Sequence, residues 1–322
     1  MSSDDDGGDG APLSPDEAFA VLGNEIRMGI LRALADADGP LPFSELRERV
    51  GTRDSGQFNY HLGKLTGHFV RQTEEGYDLR RAGDRVIQAV LSGAITDAPV
   101  LDPVEVEDPC IHCGAPTVVG FREGYVRHYC TECTGTYGEV EVPVGAAGED
   151  QADGDGEELG FLGRMALPPA GVQGRTPTEL VETTSVWGIL DFLAVARGLC
   201  PRCSAPVERA VSTCKDHGTA GQVCDRCDNR YAVIQRTRCT NCPYDSRAPF
   251  VLFCLAAPTV LAFLGERGVD PLTDWTAVDW TEDVEGTDPF EARFTCTVDG
   301  DAITLTVDDG LEVVDVATRR DG

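Results

Sequence analysis

Eleven of the thirteen cysteines, together with His217, fall into six pairs of the form Cys-x2-Cys or Cys-x2-His. No other feature limits the fold so strongly, because each such pair is a knuckle that places two ligands on one metal ion. Residues 1–10 are acidic and glycine-rich and lack the apolar stretch of a secretory signal. The chain is therefore expected in the reducing cytoplasm, where paired cysteines bind metal rather than form disulfides. Cys110-x2-Cys113 and Cys130-x2-Cys133 are separated by sixteen residues. At that spacing one hairpin carries four thiolates around a tetrahedral Zn²⁺. Four thiolates complete the site, so the neighbouring His112 and His128 are expected as exposed hairpin residues.

The second half of the chain repeats this unit. Cys110-Ile-His-Cys-Gly-Ala-Pro is matched by Cys200-Pro-Arg-Cys-Ser-Ala-Pro, and Cys130-x2-Cys133-x3-Tyr137 by Cys224-x2-Cys227-x3-Tyr231. That alignment groups Cys200, Cys203, Cys224 and Cys227 and leaves Cys214, His217, Cys239 and Cys242 for a further site. A sequential pairing is as natural, with Cys200 and Cys203 joining Cys214 and His217, and Cys224 and Cys227 joining Cys239 and Cys242. The intervening loops are then ten and eleven residues long. Either way the ligand set is the same and implies about three structural Zn²⁺ per chain, the twelve ligands filling four-ligand sites. Closed sites leave no open coordination position. No nucleophile with a partnered base and no phosphate-binding loop accompanies them, so an enzyme is not expected. Cys254 and Cys296 lie in apolar strand patterns and read as small buried residues.

At 322 residues the chain has room for two to three domains. Acids outnumber bases 55 to 27, for a net charge of −28, and the only lysines are Lys64 and Lys215. This composition resembles that of salt-in haloarchaeal proteins, whose self-repulsion is screened in molar salt, where the Debye length is about 3 Å. A basic face over the whole molecule is excluded; a local one is not. Residues 53–85 hold six bases against five acids. Residues 248–265 carry no charge over eighteen positions, but Pro249 and Pro258 interrupt them. They read as a buried strand at 250–255 and a helix starting near Pro258, with no membrane span.

Residues 1–13 read as a disordered acidic leader. Over 14–96 helical patterns alternate with short turns: helices at about 15–22, 25–38, 43–50 and 54–67, strands at 69–73 and 77–80, and a last helix at 81–95. Helices two to four, the hairpin and the final helix make a winged helix-turn-helix, with helix one added in front. Val21-Leu22-Gly23-Asn24-Glu25-Ile26-Arg27-Met28-Gly29-Ile30-Leu31 and Phe58-Asn59-Tyr60-His61-Leu62-Gly63-Lys64-Leu65 carry a resemblance to ArsR-family regulators, haloarchaeal ones in particular. The resemblance covers about a quarter of the chain. It departs from the family's metal sensors, since helix three has no cysteine. It implies double-stranded DNA as partner and a homodimer formed through helices one and five.

The fold class expected is α+β: this N-terminal winged helix-turn-helix, zinc ribbons, and a small C-terminal α+β region. The first ribbon is placed at 104–143 and an acidic linker at 144–160. The remainder, 161–322, holds a helix, a double-zinc unit at 200–242 and a terminal hairpin or small sheet turning at Asp299-Gly300. With Phe58, Leu62 and Leu65 inward, Gln57, Asn59, Tyr60, His61 and Lys64 are the candidates for base contact, His61 fitting equally a place packed at the helix border. Arg71, Arg80 and Arg81 are the candidates for phosphate contact. The function expected is a DNA-binding transcription regulator with zinc ribbons as sensor or interaction region. The competing expectation is a zinc-ribbon adaptor that binds protein rather than DNA.

Overall fold

The computed structural model describes residues 13–142, 157–214, 216–218, 222–271 and 278–321. The chain divides into two compact units, Met1–Asp97 and Ala98–Gly322. The expected leader, but for Leu13, and positions 144–156 of the expected linker lie outside the described residues.

Among the described residues of the first unit, five helices surround one apolar centre: α1 (Pro15–Leu22), α2 (Glu25–Ala35), α3 (Phe43–Val50), α4 (Ser55–Leu65) and α5 (Arg81–Leu91). Local chemistry sets their starts. Ser14 and Glu17 form a capping box on α1, Asn24 accepts the Ile26 and Arg27 N–H groups, and Asp54 accepts those of Gly56 and Gln57. Gly51, in the left-handed region, ends α3. A two-stranded hairpin, β1 (Val70–Gln72) and β2 (Tyr77–Leu79), precedes α5, and Leu41 pairs with Tyr77 beside it. Ile30, Leu31, Leu46, Phe58, Leu62, Leu65 and Ile87 form the buried centre.

The second unit opens with β3 (Leu101–Val106), β4 (Thr117–Arg122), β5 (Tyr125–Cys130), β6 (Glu139–Val142) and β7 (Glu157–Ala166) in one antiparallel sheet ordered β3-β4-β5-β7-β6. Positions 157–160, expected in the linker, are therefore strand. The sheet of the first cysteine unit extends well past residue 143, because β7 fits between β5 and β6.

Helix α6 (Pro177–Ala196) follows, and three further strands form a sheet ordered β10-β9-β8: β8 (Val207–Thr213), β9 (Val233–Cys239) and β10 (Asp245–Pro249). The N-terminal half of α6 buries Leu180 and Val181 with Val119 and Phe121 of the first sheet. Its C-terminal half packs Ile189, Phe192 and Leu193 into the C-terminal core. One helix thus serves two apolar centres, so it is not amphipathic in a single direction.

After β10 the chain turns helical, as α7 (Val251–Cys254) and α8 (Pro258–Gly265). The strand expected at 250–255 is therefore a short helix. A short, wholly apolar run fits a buried helix as well as a buried strand, and only Phe250 still bonds to the sheet, donating to Val233 O. Four antiparallel strands end the unit: β11 (Asp279–Thr287), β12 (Phe290–Val298), β13 (Asp301–Val307) and β14 (Val313–Arg319). Asp299 and Gly300 both take positive φ, 49° and 87°, as the two-residue turn requires. Phe250 stacks on Phe294 with centroids 4.8 Å apart, and Cys254 and Cys296 are buried in the same core. Among the described residues no helix is long and apolar enough to cross a membrane.

Candidate metal centres and nucleic-acid face

Strands β4 and β5 form a hairpin whose open end carries two knuckles. In the first, Cys110 N donates to Ala115 O and Gly114 N to Cys110 O; in the second, Thr131 bonds to Pro116 O through both its N–H and its hydroxyl. These bonds aim Cys110, Cys113, Cys130 and Cys133 at one point. Sγ of Cys110 lies 3.7 Å from that of Cys133, and Sγ of Cys113 lies 3.5 Å from that of Cys130. A disulfide would need about 2.05 Å. A tetrahedral ion such as zinc, with bonds of about 2.3 Å, would set sulfurs about 3.8 Å apart. The four positions fit the ion.

The same hairpin is built again from β8 and β9, bond for bond. Cys200 N donates to Ala205 O, Ser204 N to Cys200 O, and Thr240 to Pro206 O through N–H and hydroxyl. Thr117 pairs with Cys130 in the first hairpin and Val207 with Cys239 in the second. The partner of Cys200 and Cys203 is therefore Cys239 and Cys242, at Sγ separations of 3.6 Å and 3.4 Å. Cys214, His217, Cys224 and Cys227 gather separately, with His217 Nδ1 3.6 Å from Cys227 Sγ.

Both expected pairings are overturned. The true repeat of Cys130-Thr-Glu-Cys133 is Cys239-Thr-Asn-Cys242. An insertion at the tip of the second hairpin, residues 214–232, carries a complete ligand set of its own, and its Tyr231 spacing mimics the repeat. Among the described residues three groups could therefore hold a metal ion, each with ligand atoms within 4.8 Å of one another.

In each group one thiol is poised to ionise. Burial pushes Cys130 up, but the backbone N–H groups of Cys133 and Glu132, with the neighbouring thiols, outweigh it and bring it to about 7. The Ala205 N–H, with neighbouring side chains, lowers Cys203 to about 6, and the N–H groups of Gly218 and Arg226 lower Cys224 to about 7. Once one thiolate forms, an incoming cation ionises the others.

Residues in and beside the knuckles act as anchors, and sequence reasoning missed them. His112 and His128, expected to be exposed, are partly buried; their Nε2 atoms lie 2.8 Å from the hydroxyls of Thr136 and Thr117. Burial lowers both to about 4, so the rings are neutral at neutral pH. Arg202, at the position equivalent to His112, reaches back to α6 and grips the buried Asp191 with two bonds of 3.1 and 2.8 Å. The basic residue inside Cys-Pro-Arg-Cys was the available signal for this contact.

In the first unit α4 divides cleanly. Phe58, Leu62 and Leu65 are buried, while Gln57, Asn59, Tyr60 and Lys64 are exposed. Lys64 Nζ stands 5.6 Å from the centroid of the Tyr60 ring. His61 does not share this face. It is 9% exposed, its Nδ1 is buried without a hydrogen-bond partner, and desolvation and the nearby Arg27 lower its pKa.

The three expected phosphate ligands are engaged within the unit. Arg71 pairs with Asp78 at 2.6 Å, Arg81 with Asp84 at 3.3 Å, and Arg80, half-buried, donates to Gly67 O. That bond ties the start of α5 to the turn after α4.

No curated protein and no solved structure matches the chain significantly. Residues 15–90 match the model of a domain of unknown function, DUF7347. Residues 107–313, more than half of the chain, match that of another, DUF7351. The first range takes in α1 to α4 and all but the last residue of α5, and the second takes in all three ligand groups. The chain belongs to the DUF7351 family.

Proposed function

We propose that the chain is a DNA-binding transcription regulator: the first unit is a winged helix-turn-helix that reads duplex DNA, and the second is held by three structural zinc ions as a sensor or interaction region. The observation that supports this best is the outer face of α4. A helix that only covered a core would need no ordered set of Gln57, Asn59, Tyr60 and Lys64 on its far side. Gln and Asn pair bidentately with adenine, and Lys reaches guanine or phosphate, in a groove that admits one helix. The zinc ions supply closed tetrahedral cross-links at hairpin ends, where few apolar side chains gather.

Phe19 on α1 is 74% exposed and Leu91 at the end of α5 is 61% exposed. These large apolar side chains support a two-fold dimer through α1 and α5, which would set two copies of α4 about one DNA turn apart. In high salt counterion release gives little, so direct contacts and shape carry more of the affinity. Exposed Trp187 and Leu190 on α6 favour the second reading, a protein-binding adaptor.

Genome-wide footprinting of the purified protein in molar KCl separates the two. Saturable footprints are expected, and Asn59→Ala or Gln57→Ala should relax preference at one base and cost about 1–3 kcal/mol. Absence of any footprint, or full binding by the doubly substituted protein, would overturn DNA reading by α4.

A further inference from the structure

The insertion at the tip of the second hairpin does more than carry ligands. Arg230 occupies the third position after Cys227, and Thr136 the third position after Cys133. These two residues meet: Arg230 N donates to Thr136 O at 2.9 Å, and Arg230 Nε donates to the neighbouring Gly135 O at 2.9 Å. The contact continues in both directions. On one side Arg230 O lies 3.2 Å from Nε2 of His217, whose Nδ1 faces the Cys214, Cys224 and Cys227 thiols. On the other side the Thr136 hydroxyl lies 2.8 Å from Nε2 of His112, which stands between Cys110 and Cys113. A path thus runs from a ligand of one metal group, across the backbone of Arg230 to the Thr136 carbonyl, and from the Thr136 hydroxyl into the knuckle of another.

Such contacts govern metal sites. A ligating histidine donates its other N–H to a carbonyl that fixes its ring, and altering that partner changes affinity about 10–100-fold. Here the carbonyl belongs to Arg230, whose own N–H, on the other side of its Cα, donates to the other centre's loop. That loop has little freedom: Thr136 is buried, and both Thr136 N and Tyr137 N donate to Phe161 O of β7. The centre at Cys200, Cys203, Cys239 and Cys242 lies at the opposite end of the second hairpin. Seven-residue strands separate it from the tip by about 20 Å. Its own anchor, Arg202, bears on α6 and not on this path.

We propose that the Cys214/His217/Cys224/Cys227 and Cys110/Cys113/Cys130/Cys133 centres take up and release zinc as one cooperative pair, with Arg230 and Thr136 as the positioning residues that couple them. The Cys200/Cys203/Cys239/Cys242 centre exchanges by itself. The proposal rests on reading the three groups as zinc sites. Filling either centre of the pair orders the shared contact and so raises the affinity of the other, a reciprocal effect expected at about tenfold.

The test is stepwise removal of zinc from the full-length protein by a chelator, followed by native mass spectrometry. The unsubstituted protein should lose one ion in one step and two together in another. Arg230→Ala and Thr136→Val, made separately so that failure of one to fold leaves the other, should keep three ions but release them in three steps. Cobalt(II) gives a second readout. Its absorption in the four-sulfur site of the first hairpin should shift when the Cys3His site fills, and should not shift in Arg230→Ala. Three independent steps in the unsubstituted protein, or an intact two-ion step in both variants, would overturn the coupling. A starting content below three ions would instead overturn the zinc reading, and the coupling with it.

Discussion

The two knuckle hairpins are the same object with different tips. In the first, β4 passes to β5 through Glu123 and Gly124 alone, both at positive φ. In the second, residues 214–232 stand in that place, and Cys214 N closes the gap by donating to Ala232 O. The four cysteines and the backbone bonds of the knuckle end are preserved, down to the threonine that bonds a proline carbonyl twice, while Arg202 stands in place of His112. A four-cysteine hairpin is therefore specified by its ends, where ligands and short-range hydrogen bonds act together, and its tip is free to take on another task.

What holds each hairpin to its surroundings also differs. The first is clamped by β7, where Gly160 lies so close to the knuckle that a Cβ would stand 1.8 Å from Cys133 O. The second is tied by Arg202 to α6, and by Glu282, which accepts the N–H groups of Ala232 and Val233.

The largest expected effect is that of metal removal, which should unfold both hairpins and spare the first unit, whose core contains no ligand. Hydrogen exchange on chelator-treated protein should show protection lost over 101–142 and 207–239 and retained over α2 and α4. Structural zinc contributes about 10–16 kcal/mol to such folds. Loss of protection in α2 and α4 as well would mean that the two units do not fold separately. Gly160→Ala should come next. Its added methyl meets backbone rather than a movable side chain, so the first centre should lose its ion and the Cys214/His217/Cys224/Cys227 centre coupled to it should bind more weakly, while the Cys200/Cys203/Cys239/Cys242 centre keeps its ion, by elemental analysis.

Arg202→Ala tests the anchor peculiar to the second hairpin. It leaves the carboxylate of Asp191, 9% exposed, without its partner, at a cost of about 2 kcal/mol in denaturant unfolding, since Arg202 itself is partly exposed. His112→Ala in the first hairpin removes only a neutral contact and should cost less.

The last effect depends on pH. Burial raises Glu282 to about 7, against the hydrogen bonds it accepts from Ala232 and Val233, and its Oε2 has no hydrogen-bond partner. The folded state thus holds this proton more tightly than the unfolded one. The stability that the proton confers is complete below about pH 4.5 and lost as pH rises through about 7. Glu282→Gln keeps an acceptor for both N–H groups without the charge. It should stabilise the protein by about 2 kcal/mol at pH 8 and by nothing at pH 4. Equal stabilisation at both would show that burial of the charge is not the cause.

Much of this was legible in the residues. Ser14, Asn24 and Asp54 announce helix starts, Asp299-Gly300 announces a hairpin, and the ligand set is written in its spacing. The pairing of knuckles was hidden because the insertion places Cys224, Cys227 and Tyr231 where the repeat leads one to look, while the true counterpart, Cys239-Thr-Asn-Cys242, lies beyond it. The helix at 251–254 was hidden because an unbroken apolar run has no period. His112 and His128 were misplaced for a shared reason: a polar residue beside a motif looks exposed until the packing around it is known.

The nested pairing of ligands is the claim on which the account of the second unit stands. Loading the protein with NMR-active cadmium and correlating each metal resonance with cysteine Hβ protons tests it directly. The account predicts one resonance shared by Cys200, Cys203, Cys239 and Cys242, and another shared by Cys214, Cys224 and Cys227. Correlation of Cys200 and Cys203 with the metal bound by Cys224 and Cys227, or with that bound by Cys214, would contradict it.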